Sequence, residues 1–128
     1  MILYLDTHVL VWLYEGRKER FTSRGRAALD HARLVISPMV ELELAYLWES
    51  KRITVRPDAI TAYLIERIGL ARDTSPFSAI AAAAVPLRWT RDPFDRLITA
   101  TAILNDCPLL SKDKTIRDHY AEAWWGES

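Results

Sequence analysis

The sequence predicts an α/β protein, a compact α/β/α sandwich on a mostly parallel sheet, and three observations lead there. Short apolar runs suited to buried strands alternate with longer stretches of helical periodicity. With only four glycines and no Asn-Gly or Asp-Gly pair, the tight hairpins of an antiparallel sandwich lack their turn chemistry. The length of 128 residues suits one hydrophobic core, so a single domain over 1–128 is expected.

Ile2 to Leu5 is the first strand-like run, followed by an apolar helical segment from Thr7 to Tyr14 that Gly16 can terminate. Thr22 or Ser23 can cap a segment to about Arg33, and Leu34 to Ile36 is a second strand bounded by Ser37 and Pro38. Pro38 begins a helix to about Ser50. Pro57 and Asp58 open another, with Ile60, Leu64, Ile65 and Ile68 at helix spacing and Gly69 near its end. Ala79 to Val85 reads as a short alanine-rich helix ended by Pro86. Asp92 and Pro93 start a helix to about Asn105, Pro108 to Ser111 is a strand, and Asp113 to about Tyr120 is a short helix. Ala121 to Trp125 then supplies an edge strand. Strands alternating with helices imply a parallel sheet with helices on both faces.

Composition excludes several classes. Half the residues are apolar and five are Trp, enough to offset the entropy of ordering, so disorder is not expected. No apolar run approaches the roughly 18 to 20 residues that span a bilayer, and the first residues lack the basic stretch of a secretory signal, so a cytoplasmic protein with no membrane partner is expected. The single Cys107 and three scattered histidines offer neither an internal disulfide nor a zinc cluster. Seventeen basic and seventeen acidic residues cancel, leaving no strong field to steer the molecule onto nucleic acid. Locally, Arg17 to Arg33 carries six basic residues against two acidic, and Arg24 and Arg26 are candidates there for phosphate contact, beside the plain reading of a solvated helix face.

In open parallel sheets ligands bind beyond the carboxyl ends of the strands. Asp6, Ser37, and Ser111 with Asp113 stand at such places, although each residue type is also a favoured helix cap. Asp92 suits the N-cap ahead of Pro93, and Asp95 two positions beyond that proline shares the same helix end, where both capping and metal binding are served. Glu41 and Glu43 sit in the largely apolar helix from Pro38. They point about 200° apart around its axis, so only one can face a given site. Asp6, one of these glutamates, Asp95 and Asp113 can form an acidic cluster at one sheet edge. Its hard oxygen donors suit Mg²⁺ or Mn²⁺, and metal-assisted phosphodiester hydrolysis is the chemistry such a cluster serves.

The stretches Tyr4-Leu5-Asp6-Thr7-His8-Val9-Leu10-Val11-Trp12, Ile36-Ser37 to Glu43-Leu44-Ala45, Arg91-Asp92-Pro93-Phe94-Asp95-Arg96-Leu97-Ile98 and Leu109-Leu110-Ser111-Lys112-Asp113 resemble the PIN-domain family. They are most similar to its VapC-type toxins of bacterial toxin-antitoxin pairs, in order and over nearly the whole chain. The resemblance implies a PIN-like α/β/α fold and a divalent-metal ribonuclease of the cytoplasm. It further implies RNA as substrate, homodimerisation, and inhibition by a cognate VapB-like antitoxin. By position, Asp6, Glu43, Asp95 and Asp113 match the family's four acids, with Asp6, Asp95 and Asp113 as the metal ligands. The interval from Ser37 selects Glu43 over Glu41. Thr7 and Ser111 match small hydroxyl positions near the metal, Asp92 a supporting position, and His8 a positioning residue.

A dehalogenase-type phosphatase would need a second Asp where His8 stands. The remaining alternative is a catalytically inactive PIN-like module that binds protein or RNA, and the presence of all four acids speaks for the enzyme.

Overall fold

The computed structural model describes residues 1–126. In chain order its elements are β1 (Ile2–Leu5), α1 (Thr7–Glu15), a 3-10 turn (Lys18–Arg20), α2 (Ser23–His31), β2 (Arg33–Ile36), α3 (Pro38–Glu49), α4 (Pro57–Ile68), β3 (Ala71–Arg72), α5 (Phe77–Ala84), α6 (Pro93–Leu104), β4 (Leu109–Leu110), α7 (Lys114–His119) and β5 (Ala123–Trp124).

The strands form one five-stranded sheet in the order β3-β2-β1-β4-β5. Every neighbouring pair is parallel, with Tyr4 opposite Val35 on one side and Leu109 on the other. Successive strand residues point to opposite faces, yet Leu3, Tyr4 and Leu5 are all buried, as are Leu34, Val35 and Ile36 and the pair Leu109 and Leu110. Both faces are therefore covered by helices, which is why these strands read as continuous apolar runs and not as alternating ones. The α/β/α sandwich expected from sequence is the observed architecture.

Local chemistry sets the element ends. Asp6, Thr22, Ser37, Asp92 and Asp113 occupy N-caps and accept backbone N–H bonds, while Gly16 and Gly69 end α1 and α4 in the left-handed conformation. Alanines let α5 lie close against α6, where Ile80, Ala84 and Ala100 form a small second core. Arg96 joins the two helices, its guanidinium donating to the carbonyls of Ala84 at 2.9 Å and Val85 at 2.7 Å at the end of α5.

Three features depart from the sequence expectation. The strand β3 was not expected: two residues are too short to register as an apolar run, and pairing of Ala71 and Arg72 with Val35 and Ile36 defines it. Arg33 belongs to β2 and not to the preceding helix, because its N–H pairs with the Met1 carbonyl at 2.8 Å. Helix α5 begins at Phe77, ahead of Ala79, after Pro76 presets the chain.

Candidate functional site

The direction of strand addition reverses between β1 and β4, since β2 and β3 extend the sheet to one side of β1 while β4 and β5 extend it to the other. Such a switch point leaves a crevice at the carboxyl ends of the two strands. Asp6 directly follows β1, and Ser111 directly follows β4. A cleft of about 790 Å³ opens there, lined by Asp6, Glu43, Asp92, Asp95 and Asp113 together with His8 and the cations Arg52 and Lys112. The acidic cluster thus stands at the carboxyl edge of the sheet, beyond the end of its central strand β1.

Each acid is placed by an identifiable device. Asp6 is buried at 8% exposure, its Oδ1 accepting from the Thr7 N–H at 2.8 Å and its Oδ2 from the Ser111 hydroxyl at 2.6 Å. The Thr7 hydroxyl donates to Glu43 Oε1, tying α1 to α3. Asp92 caps α6 through the N–H groups of Phe94 at 2.8 Å and Asp95 at 3.3 Å, which brings Asp95 to the cleft on the first turn. Asp113 caps α7 through the Ile116 N–H at 3.2 Å, and its own N–H donates to the Ser111 hydroxyl at 3.1 Å. Ser37, the remaining strand-end candidate, caps α3 and accepts from the Thr101 hydroxyl at 2.9 Å, outside the cleft.

The two glutamates of α3 separate as helix geometry demands. Glu43 lines the cleft, whereas Glu41 forms a bidentate ion pair with Arg72 at 2.8 and 3.1 Å. His8 is exposed on the first turn of α1 at the cleft wall, its ring centroid 6.0 Å from that of Trp12. Arg24 and Arg26 lie on α2 and do not line the cleft; the Arg24 guanidinium sits 4.2 Å from the Trp124 ring centroid.

Among the described residues none of the five cleft carboxylates has an ion-pair partner. Burial and repulsion therefore act together on Asp6, Glu43 and Asp95. Asp95 is pushed up to about 7 by burial, with Asp6, Asp92, Asp113 and Glu43 all adding in the same direction. Burial raises Asp6, and Asp113 adds to this against the opposing bonds from Ser111 and Thr7. Glu43 is raised by burial and by Asp6 and Asp92, against its bond from Thr7. A cleft that gathers five carboxylates, none in an ion pair, against Arg52 and Lys112 carries an excess of negative charge that a bound hard cation would offset. Among the described residues no three acidic, His or Cys side chains are drawn together as a finished ligand set. The five carboxylates nonetheless offer oxygen donors, the type that Mg²⁺ or Mn²⁺ takes, with His8 the one imidazole beside them.

Arg52, Lys112, Tyr46 and Phe94 also line the cleft, and the sequence reading passed over all four. Lys112 carried a signal, standing between Ser111 and Asp113. Tyr46 follows Glu43 by three residues and so shares its helix face.

Fold and cleft together define a class: doubly wound α/β proteins with a carboxylate-lined crevice at the switch point. Within that class, the profile of the PIN domain matches residues 3–122, and the chain belongs to the PIN-domain family. It is 32% identical to Ribonuclease VapC22 of Mycobacterium tuberculosis, in an alignment that covers 90% of this chain and 89% of that protein. Two solved structures share the fold. The complex VapBC2 from Rickettsia felis bound to a DNA fragment from its promoter matches with a TM-score of 0.67 at 16% identity, covering 97% of this chain and 99% of that one. VapBC-1 from nontypeable Haemophilus influenzae matches with a TM-score of 0.66 at 18% identity, covering 99% and 98%.

Proposed function

We propose that this protein is a metal-dependent endoribonuclease, the toxin of a toxin-antitoxin pair, acting on RNA in the cytoplasm as a homodimer and restrained by a VapB-like antitoxin. The observation that carries the reading is the unpaired carboxylate cleft at the switch point, in a chain of this family. The similarity to Ribonuclease VapC22 supports the activity, and the likeness to VapBC assemblies supports the partner.

In this reading Asp6, Asp95 and Asp113 would hold Mg²⁺ or Mn²⁺, which when bound would supply water activation and charge neutralisation at the scissile phosphate. Ser111 and the Thr7 N–H keep Asp6 in one orientation, so that no reorganisation is needed when substrate arrives. Glu43, half-buried and raised from its ordinary range, accepts a proton at its free Oε2 while Thr7 holds Oε1. Asp92 supports the site by fixing the first turn of α6, and therefore Asp95.

Purified protein freed of antitoxin, incubated with a panel of structured and single-stranded RNAs, is expected to cut with Mg²⁺ or Mn²⁺ and to stop in chelator. Cleavage unchanged in chelator contradicts the metal mechanism. Failure to cut any RNA with either metal returns the chain to a binding module without catalysis.

A further inference from the structure

The cleft poses a problem for its own substrate. Five carboxylates line it against two cations, and the whole chain is neutral, so neither the site nor the molecule attracts a polyanion strongly. Beyond contacts to its phosphates, a strand held there gains from an anchor that does not depend on charge. Stacking of unpaired bases on aromatic rings is such an anchor, and one cleft wall provides it.

Tyr46 and Leu47 follow Glu43 by three and four residues on α3, and all three line the cleft. Tyr46 is 48% exposed on a helix whose Val40, Leu44 and Leu47 are buried, and of the exposed aromatics on α3, Tyr46 and Trp48, only Tyr46 lines the cleft. Phe94, next to Asp95 on the first turn of α6, stands with its ring centroid 5.8 Å from that of Tyr46 at an interplanar angle of 31°. Just past α3 the chain reverses at Lys51, a non-glycine residue with φ of 63°, and the Arg52 N–H bonds back to the Leu47 carbonyl at 2.8 Å. This reversal places the Arg52 guanidinium 6.0 Å from the Tyr46 ring centroid, again on the cleft wall. Trp12 also lines the cleft, but its ring packs edge-on against Phe21 and Trp125, whereas Phe94, likewise partly buried against the core, packs on the exposed Tyr46.

We infer that Tyr46, Phe94 and Arg52 form a substrate platform: the two rings stack an unpaired nucleobase next to the scissile phosphate, and Arg52 pairs with a neighbouring phosphate. The platform selects single-stranded segments, because a base within a duplex has no free face to present. This rests on the ribonuclease reading and names how that site holds its substrate. A protein side chain could use the same rings, but the guanidinium beside a carboxylate-lined crevice matches a phosphate flanking the reacting one.

The test measures binding in chelator, where no strand is cut. The probes are a fluorescent unstructured ten-nucleotide RNA of mixed sequence and the same backbone with every base removed. Tyr46→Leu is expected to weaken binding of the base-bearing strand by about 5- to 150-fold, the range of one stacked base, and to leave the abasic strand unchanged. Tyr46→Phe should restore most of the loss. Arg52→Gln should weaken both strands and lower the salt slope by about 0.7, the share of one phosphate on a single strand. Equal loss on both strands for Tyr46→Leu, or none on either while the wild type still cuts RNA with metal, overturns the platform and leaves the nuclease standing. A wild type that neither binds nor cuts RNA removes the nuclease reading, and the platform with it. Melting curves of the variants establish that each is folded.

Discussion

Two aspartates end strands of the same sheet in burial and stand in opposite electrostatic settings. Asp73, after β3, accepts from the Tyr4 hydroxyl at 2.7 Å, the Ser75 N–H at 2.9 Å, the Ser75 hydroxyl at 3.0 Å and the Asn105 amide at 3.2 Å. Asp6, after β1, accepts from Thr7 and Ser111 but shares its cleft with four further carboxylates. The first corner is closed by neutral donors and holds the β1, β3 and α6 ends together. The second gathers like charges with no ion-pair partner among the described residues. Burial of a carboxylate does not mark a site; the charge of what it faces does. Glu41 and Glu43 repeat the lesson on one helix, the first neutralised by Arg72 and the second left among acids.

The largest expected contrast is in activity. Asp6→Asn and Glu43→Gln should each lower kcat/KM for RNA by about 10²- to 10³-fold, the scale on which single charge-placing groups act. Glu41→Gln should leave the rate near that of wild type, since it breaks only an exposed ion pair worth about 0–1 kcal/mol. Single-turnover cleavage assays check all three, and a Glu41 variant weaker than the Glu43 one reverses the assignment.

Stability should show the opposite pattern. Asp73→Ala strands the buried Tyr4 hydroxyl, at a cost of about 1–3 kcal/mol. Its melting temperature should fall while its cleavage rate at a permissive temperature stays close to wild type. Denaturant and cleavage assays on the same preparation measure both, and a large rate loss without destabilisation would make the Asp73 corner part of the catalytic machinery.

Much of the framework was readable from residues. The buried runs of β1, β2 and β4 and the caps Asp6, Ser37, Asp92 and Asp113 announce themselves, because burial on both faces and helix-end chemistry are local signals. Thr22 likewise marked the start of α2 and Gly16 the end of α1. The β3 strand was not readable, since its two residues exist as a strand only through β2, and Asp73 was missed with it. The choice between Glu41 and Glu43 lay beyond helix geometry alone, because it depends on where Arg72 stands once β3 has formed. Arg52 was equally hidden, brought to the cleft by a left-handed turn at Lys51 that no glycine marks. The sequence placed the acids beyond the carboxyl ends of the strands; that these ends flank a switch point beside the central strand requires the strand order, which only the long-range pairing supplies.

The smaller effect concerns pH in the metal-free protein. An unfolded Asp titrates near 3.9, whereas folded Asp95 is pushed up to about 7. Between these values the folded state binds the extra proton, so the contribution of Asp95 is free of penalty below about pH 4, and the penalty grows as pH rises through about 7. Asp95→Asn should flatten that segment of the stability profile, and urea unfolding across the interval reads it. An Asp95→Asn profile that falls over this interval as steeply as that of wild type would contradict the repulsion described for the cleft.

The most direct measurement is the thermal midpoint of wild type and Asp95→Asn at neutral pH, each with and without Mg²⁺. Without metal the variant should melt higher by roughly 3–8 °C, a range reduced for the half-exposed carboxylate, since it relieves the cleft and Asn costs a helix end little. Mg²⁺ should raise the wild-type midpoint and move that of the variant far less, because binding stabilises only a fold that binds. A metal-free variant less stable than wild type, with an undiminished response to Mg²⁺, would make Asp95 a helix-end residue and contradict the metal site.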